Sequence, residues 1–139
     1  MSQVLGVDTT PEDIIETLSF FDSWEERYKY IIDLGKELPK LDDELRVEEY
    51  IVRGCQSQVW LVPNQQGELY FFEVDSDAHI VKGLLAVVLA AFNGKNAESI
   101  LSFDVDNYFN QLDLVRHLSP TRGNGLRAMV QRIRDIAQA

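Results

Sequence analysis

Apolar residues recur at helical spacing towards both ends of the chain and at strand-like spacing in its middle. The stretch "TPEDIIETLSFF" places Ile14, Ile15, Leu18 and Phe21 on one stripe, behind Thr10 as an N-cap, Pro11 at the first helical position and Glu12 and Asp13 against the helix dipole. A second helix opens at "SWEE", where Ser23 and Glu26 have capping-box spacing; Trp24, Tyr28, Ile31 and Ile32 share a face, and Gly35 is expected to close it. The charged stretch "KELPKLDDELRVEE" is broken by Pro39 and reads mostly as loop. The period then shortens. "YIV" reads as a strand ending at Arg53, "QVWLV" as a second strand bounded by Pro63, "PNQQGE" as a turn carrying Gly67, and "LYFFEV" as a third strand. Connections this short make an antiparallel meander, with "RGCQS" as the loop between the first two strands.

Helical spacing returns at "SDAHIVKGLLAVVLAAFNG". Ser76 or Asp77 is the expected N-cap and Gly94 the end, and the segment is apolar nearly all round after Gly83, as a buried central helix must be. "NAESILSF" and "VDNYFNQL" read as short helices capped by Asn96 and by Asp104 or Asp106. The last helix starts with Ser119 as cap and Pro120 behind it, and carries Leu126, Met129, Val130, Ile133 and Ile136 on one face. Helices, then three strands, then helices is an α+β order, and 139 residues without a linker or repeat make one domain, 1–139.

Charge narrows the function classes. With 13 Lys+Arg against 23 Asp+Glu, the formal net charge is −10, which repels phosphate backbones and anionic lipids, so neither nucleic acid nor a membrane surface is the expected partner. The longest apolar run, Leu84 to Phe92, is nine residues, against the ~20 of a membrane span. No basic, apolar leader opens the sequence, and the single cysteine rules out an internal disulfide and a multi-cysteine metal site; the expectation is a cytoplasmic protein in a reducing compartment.

That cysteine, Cys55, stands in "VRGCQSQVWLV" between polar and small residues rather than among apolar ones. Gly54 frees the backbone for a tight loop, Gln56 and Ser57 are hydrogen-bonding side chains, and Arg53 favours a thiolate two residues away. The alternative is an inert, partly buried thiol. A thiol hydrolase needs a histidine base, and nothing pairs His79 or His117 with Cys55; a disulfide oxidoreductase needs a second thiol. What is left is chemistry in which one thiol accepts a group and passes it on. The pairs Asp75/Asp77 and Asp104/Asp106 resemble the start of a calcium loop but lack its glycine and terminal glutamate, and read as helix caps. Arg122 lies in the first turn of a helix, where a cation opposes the dipole, so it is either an ordinary surface arginine or one held for a contact.

The segments "WEERYKYIIDLGKELP", "GCQSQVW", "DSDAHIVKGLLAVV", "FDVDNYF" and "HLSPTRGNGL", in this order, resemble the SufE-type sulfur acceptors, including the CsdE branch. The resemblance implies an α+β fold similar to the IscU-type scaffolds. It implies a persulfide-carrying cysteine at Cys55, with Asp75, Asp77 and Arg122 matching the family pattern. It also implies a pyridoxal-phosphate-dependent cysteine desulfurase of the SufS or CsdA type as partner, stimulated by sulfur acceptance rather than replaced by a stand-alone enzyme. A Suf-type iron–sulfur scaffold complex is the implied acceptor. The chain itself then holds no cofactor and no metal, the pyridoxal phosphate staying with the partner. Two other readings stand beside it: a redox sensor or peroxidase, and a non-catalytic desulfurase adaptor.

Overall fold

The computed structural model describes residues 10–38, 40–52, 58–114 and 120–138, the side chains of 120–124 excepted. Six α-helices and a three-stranded antiparallel sheet make an α+β fold among these residues. Helix α1 (Pro11–Ser19) begins in a complete capping box: Thr10 Oγ1 accepts the Asp13 N–H, and the Asp13 carboxylate accepts the Thr10 N–H. Helix α2 (Trp24–Lys36) begins at Ser23, whose Oγ accepts the Glu26 N–H.

Gly35 does not end α2. The helix runs on to Lys36, and Gly35 is buried where α2 crosses α3 (His79–Phe92). A Cβ on Gly35 would stand 2.6 Å from the Gly83 amide nitrogen, and one on Gly83 would stand 2.3 Å from the Ile31 carbonyl oxygen. The two glycines let the two backbones touch.

The sheet order is β1 (Val59–Gln66), β2 (Leu69–Ser76), β3 (Lys95–Asn96). Two expectations need correction. Pro63 lies inside β1, opposite Phe72, rather than bounding it. β1 is the outer strand of the order, and the Phe72 N–H turns the other way, to Asn93 Oδ1 at 2.8 Å, so the missing proline N–H costs no ladder bond. The turn is then only Gly67 and Glu68, with Gly67 at φ +63°. The segment "YIV" forms only a bridge, Ile51 opposite Trp60, with the Val52 N–H on the Val59 carbonyl at 2.9 Å; Tyr50 ends a one-turn 3₁₀ helix. The third strand comes instead from Lys95–Asn96, paired with Leu69 and Tyr70 just past α3.

Helix α3 is the centre of the molecule. Twelve of its fourteen residues are buried, leaving only His79 and Lys82 towards solvent, and it packs on α2, on β2 and on α6 (Pro120–Gln138). Its end is tied back to the sheet, with Asn93 Oδ1 on Phe72 and the Gly94 N–H on the Tyr70 carbonyl at 2.7 Å. Helices α4 (Ala97–Ser102) and α5 (Val105–Leu112) are capped by Asn96 and Asp104, which decides the α5 cap against Asp106. Pro120 opens α6 as expected; its expected cap, Ser119, lies outside the described residues.

Strand alternation sends side chains to two different places. Val59 and Leu61 of β1, with Tyr70, Phe72 and Val74 of β2, enter the main core. Trp60 and Val62 face the other way, where Leu41, Leu45, Tyr50 and Ile51 cover them as a small second core. The segment from Leu41 to Ile51, with 3₁₀ turns at Asp43–Leu45 and Glu48–Tyr50, is thus a strap across the outer face of the sheet.

Candidate functional site

Arg53, Gly54, Cys55, Gln56 and Ser57 lie outside the described residues, as does His117. Their flanks are described, and one tripeptide at the end of β2, Asp75-Ser76-Asp77, is bonded on both sides of them.

Downstream, Gln58 is gripped at both backbone polar groups. Its N–H donates to Asp77 Oδ1 at 3.1 Å, and its carbonyl accepts from Ser76 Oγ at 2.8 Å and from the Asp77 N–H at 3.4 Å. Ser76 Oγ also accepts the Ala78 N–H at 3.2 Å. Neither Ser76 nor Asp77 is the N-cap of α3. Ala78 holds that position, where its methyl group can make no capping bond, while the Ser76 and Asp77 side chains bond Gln58.

Upstream, Asp75 reaches the strap. Only 3% of Asp75 is exposed, and both carboxylate oxygens are used. Oδ1 accepts the Ser76 N–H at 2.8 Å and pairs with Lys82 Nζ at 3.5 Å; Oδ2 accepts the Leu41 N–H at 3.4 Å and an Arg46 guanidinium N–H. Burial alone raises the pKa of such a carboxyl, but here the Ser76 amide, Lys82, the Leu41 amide and Arg46 together hold it below its ordinary value. The Asp75 carboxylate is therefore charged at neutral pH. The Arg46 guanidinium sits 5.4 Å over the Trp60 ring, a cation–π arrangement on the cross-strand neighbour of Asp75.

Of the residues singled out in the sequence, the structure thus joins Asp77 to the downstream flank of Cys55 at Gln58 and Asp75 to the strap at Leu41 and Arg46, in roles other than helix capping. Arg122 lies in the first turn of α6, as expected, with its side chain outside the description. His79 is exposed at the start of α3. Sequence reasoning missed Arg46, Trp60 and Lys82, and named Ser76 only as a helix cap. Among the described residues, no group of three or more His, Cys, Asp and Glu side chains is placed to hold a metal ion. A groove of about 450 Å³ between α5 and α6 is lined among others by Phe109, Asn110, Arg127 and Arg134, and none of the described site residues borders it.

Two anchored flanks around a single-thiol segment, on an α+β frame, agree with the family pattern of the motifs, and comparison with known proteins decides the matter. The family model for SufE, described as an Fe-S metabolism associated domain, matches residues 12–137. The chain belongs to the SufE family. An uncharacterized SufE-like protein of Rhizobium meliloti (strain 1021) is 47% identical over 134 residues, covering 94% of this chain and 96% of that one. An uncharacterized SufE-like protein of Rhizobium etli is 50% identical over 131 residues, covering 91% and 88%. A solved structure, a hypothetical protein from Thermus thermophilus, shares the fold at TM-score 0.74 and 17% identity, over 92% of this chain and 93% of that one. SufE membership assigns the chain to iron–sulfur metabolism, with a sulfur-transfer role in general and a cysteine desulfurase as the general kind of partner. No helix among the described residues is long and apolar enough to cross a membrane.

Proposed function

We propose that this SufE-family chain accepts sulfane sulfur from a cysteine desulfurase onto Cys55 and carries it towards iron–sulfur cluster assembly. The desulfurase, of the SufS or CsdA type, holds the sulfur as a persulfide on its own cysteine. The Cys55 thiolate attacks the outer sulfur, the old sulfur–sulfur bond breaks, and the desulfurase thiolate leaves with that bond's electron pair. Cys55 ends as a persulfide and the desulfurase is ready for another turnover, so the chain stimulates its partner without being a stand-alone enzyme. The pyridoxal phosphate that frees sulfur from cysteine belongs to the desulfurase. A Suf-type scaffold complex then takes the sulfur from Cys55, within the cytoplasm.

The observation that carries the reading is the family match across residues 12–137, which includes the "GCQSQVW" motif. A lone thiol suits the chemistry, since a neighbouring thiol would attack the persulfide, release sulfide and leave a disulfide. The test is to incubate the full chain with candidate desulfurases, cysteine and pyridoxal phosphate and record its intact mass. Gain of one sulfur atom by the parent and none by Cys55→Ser, with loss of desulfurase stimulation, is the expected result. Undiminished stimulation by Cys55→Ser would replace the carrier by an adaptor. Failure to gain sulfur, with rapid oxidation by peroxide, would make it a redox protein.

A further inference from the structure

We propose that Arg46, held by Asp75, is a positioning residue for sulfur transfer; the proposal rests on the reading of Cys55 as the carrier. Between Lys40 and Arg53 the strap has one cation, Arg46, among five acids: Asp42, Asp43, Glu44, Glu48 and Glu49. All five acids are exposed. An arginine on a solvated acidic run has every electrostatic reason to stay among those carboxylates. This one turns inward: its side chain is 30% exposed, its guanidinium lies over Trp60, and it bonds the carboxylate of Asp75, whose side chain is 4% exposed. Its approach to the strap's own Asp43 is longer, 3.9 Å, to a carboxylate 92% exposed.

Stability alone is a poor reason for such a pair, because buried ion pairs replaced by apolar groups of similar size are often neutral or stabilising. What the pair supplies is a fixed place. Asp75 is itself fixed by the Ser76 and Leu41 amides and by Lys82, so the guanidinium has one seat, set by the sheet. The strap leads from that seat through Tyr50 and the Ile51–Trp60 bridge to Val52, the upstream flank of Cys55. Asp75 is followed in the chain by Ser76 and Asp77, which hold the downstream flank at Gln58. Arg46 thus ties the incoming chain to the same tripeptide that holds the outgoing one.

The variants are Arg46→Met, which keeps an apolar stem on Trp60 and leaves Asp75 its other partners, and Arg46→Lys, which restores a cation. Arg46→Gln serves the same test should Arg46→Met fail to fold. Single-turnover sulfur transfer from a persulfide-loaded desulfurase to each full-length variant is followed by intact mass over a range of desulfurase concentrations. The expected result is a saturating rate lowered about ten-fold or more in Arg46→Met, as misplacement of a reacting group costs. The half-saturating concentration stays within about two-fold, and Arg46→Lys recovers much of the rate. A parental saturating rate in Arg46→Met overturns the proposal, as does a loss confined to the half-saturating concentration or one that Arg46→Lys leaves unrecovered. A parent chain that gains no sulfur overturns the carrier reading itself, separately from these outcomes.

Discussion

Gly83→Ala tests whether backbone contact between α2 and α3 holds the frame on which the site is built. The added methyl carbon would lie 2.3 Å from the Ile31 carbonyl oxygen, 2.8 Å from its carbonyl carbon and 2.9 Å from its Cγ2. Ordinary contact needs about 1 Å more than the shortest of these. Two of the three obstacles are backbone, so no rotamer change relieves them, and α2 must lift off α3. In a helix interior alanine is favoured over glycine by about 1 kcal/mol. Against that gain, overpacking costs ~1–3 kcal/mol and occasionally more, and a backbone clash belongs at the upper end. A net loss of about 2 kcal/mol is expected, or roughly 8 °C in Tm for a chain of this size. Urea unfolding followed by circular dichroism should show a lower midpoint with unchanged slope. The control is Gly67→Ala. There φ is +63° with nothing within 4 Å of the new carbon, so only backbone strain of about 1 kcal/mol is added. Gly83→Ala as stable as the parent, or more so, would refute the close-approach reasoning. The variant also moves the backbone beside Lys82, one of the Asp75 partners, so the frame and the site should respond together.

Asp77→Arg removes the acceptor of the Gln58 N–H, worth about 1 kcal/mol net, and should speed iodoacetamide labelling of Cys55 about five-fold; an unchanged rate removes Asp77 from control of that segment. Asp75, whose pKa is depressed in the fold, contributes stability that is fully present above the unfolded carboxyl value near 4 and is lost as pH falls below it. Urea midpoints measured from pH 6 to 3 should therefore fall less steeply in Asp75→Asn, and parallel acid limbs would contradict the assignment. Arg122→Ala should weaken desulfurase stimulation more than it lowers Tm, and an unchanged titration of desulfurase activity takes Arg122 out of the partner surface. Elemental analysis and absorbance of the purified chain should find no stoichiometric zinc, iron or pyridoxal phosphate; one equivalent of metal, lost with Cys55→Ala, would contradict this.

The helices were legible wherever a cap and a stripe coincided. Thr10, Ser23, Asn96 and Asp104 each accept an N–H three residues on, as their spacing in the sequence predicts. The unbroken apolar run of α3 named the central element for the same local reason. Misreadings arose where a tertiary contact outranked a local rule. Gly35 resembles a helix terminator, yet it serves the crossing with Gly83, a contact 48 positions away that no window of sequence contains. Pro63 resembles a strand end, yet it sits on the outer strand of the order, opposite a Phe72 whose N–H turns to Asn93, so the N–H it lacks costs no ladder bond. "YIV" has strand composition, but it reaches the sheet only at one bridge before the chain turns away.

The acidic tripeptide shows why the candidate site was only half legible. Asp75, Ser76 and Asp77 stand just before a helix, and local propensity reads such residues as caps. At the end of a strand, however, successive side chains point to opposite faces. Asp75 therefore shares the outer face with Trp60 and meets Arg46 and the Leu41 amide, 29 and 34 positions earlier in the chain. Ser76 and Asp77 meet Gln58, 18 and 19 positions earlier, because the β1–β2 hairpin closes with Val59 opposite Ser76. The register that makes these contacts is fixed by which strand residues are apolar, since a slip of one position would turn Val59 and Leu61 out of the core. Placement of polar groups around the flanks of Cys55 thus follows from the packing of Val59, Leu61, Phe72 and Val74. The chemistry-bearing residues were named from their types, while their partners were set by the core.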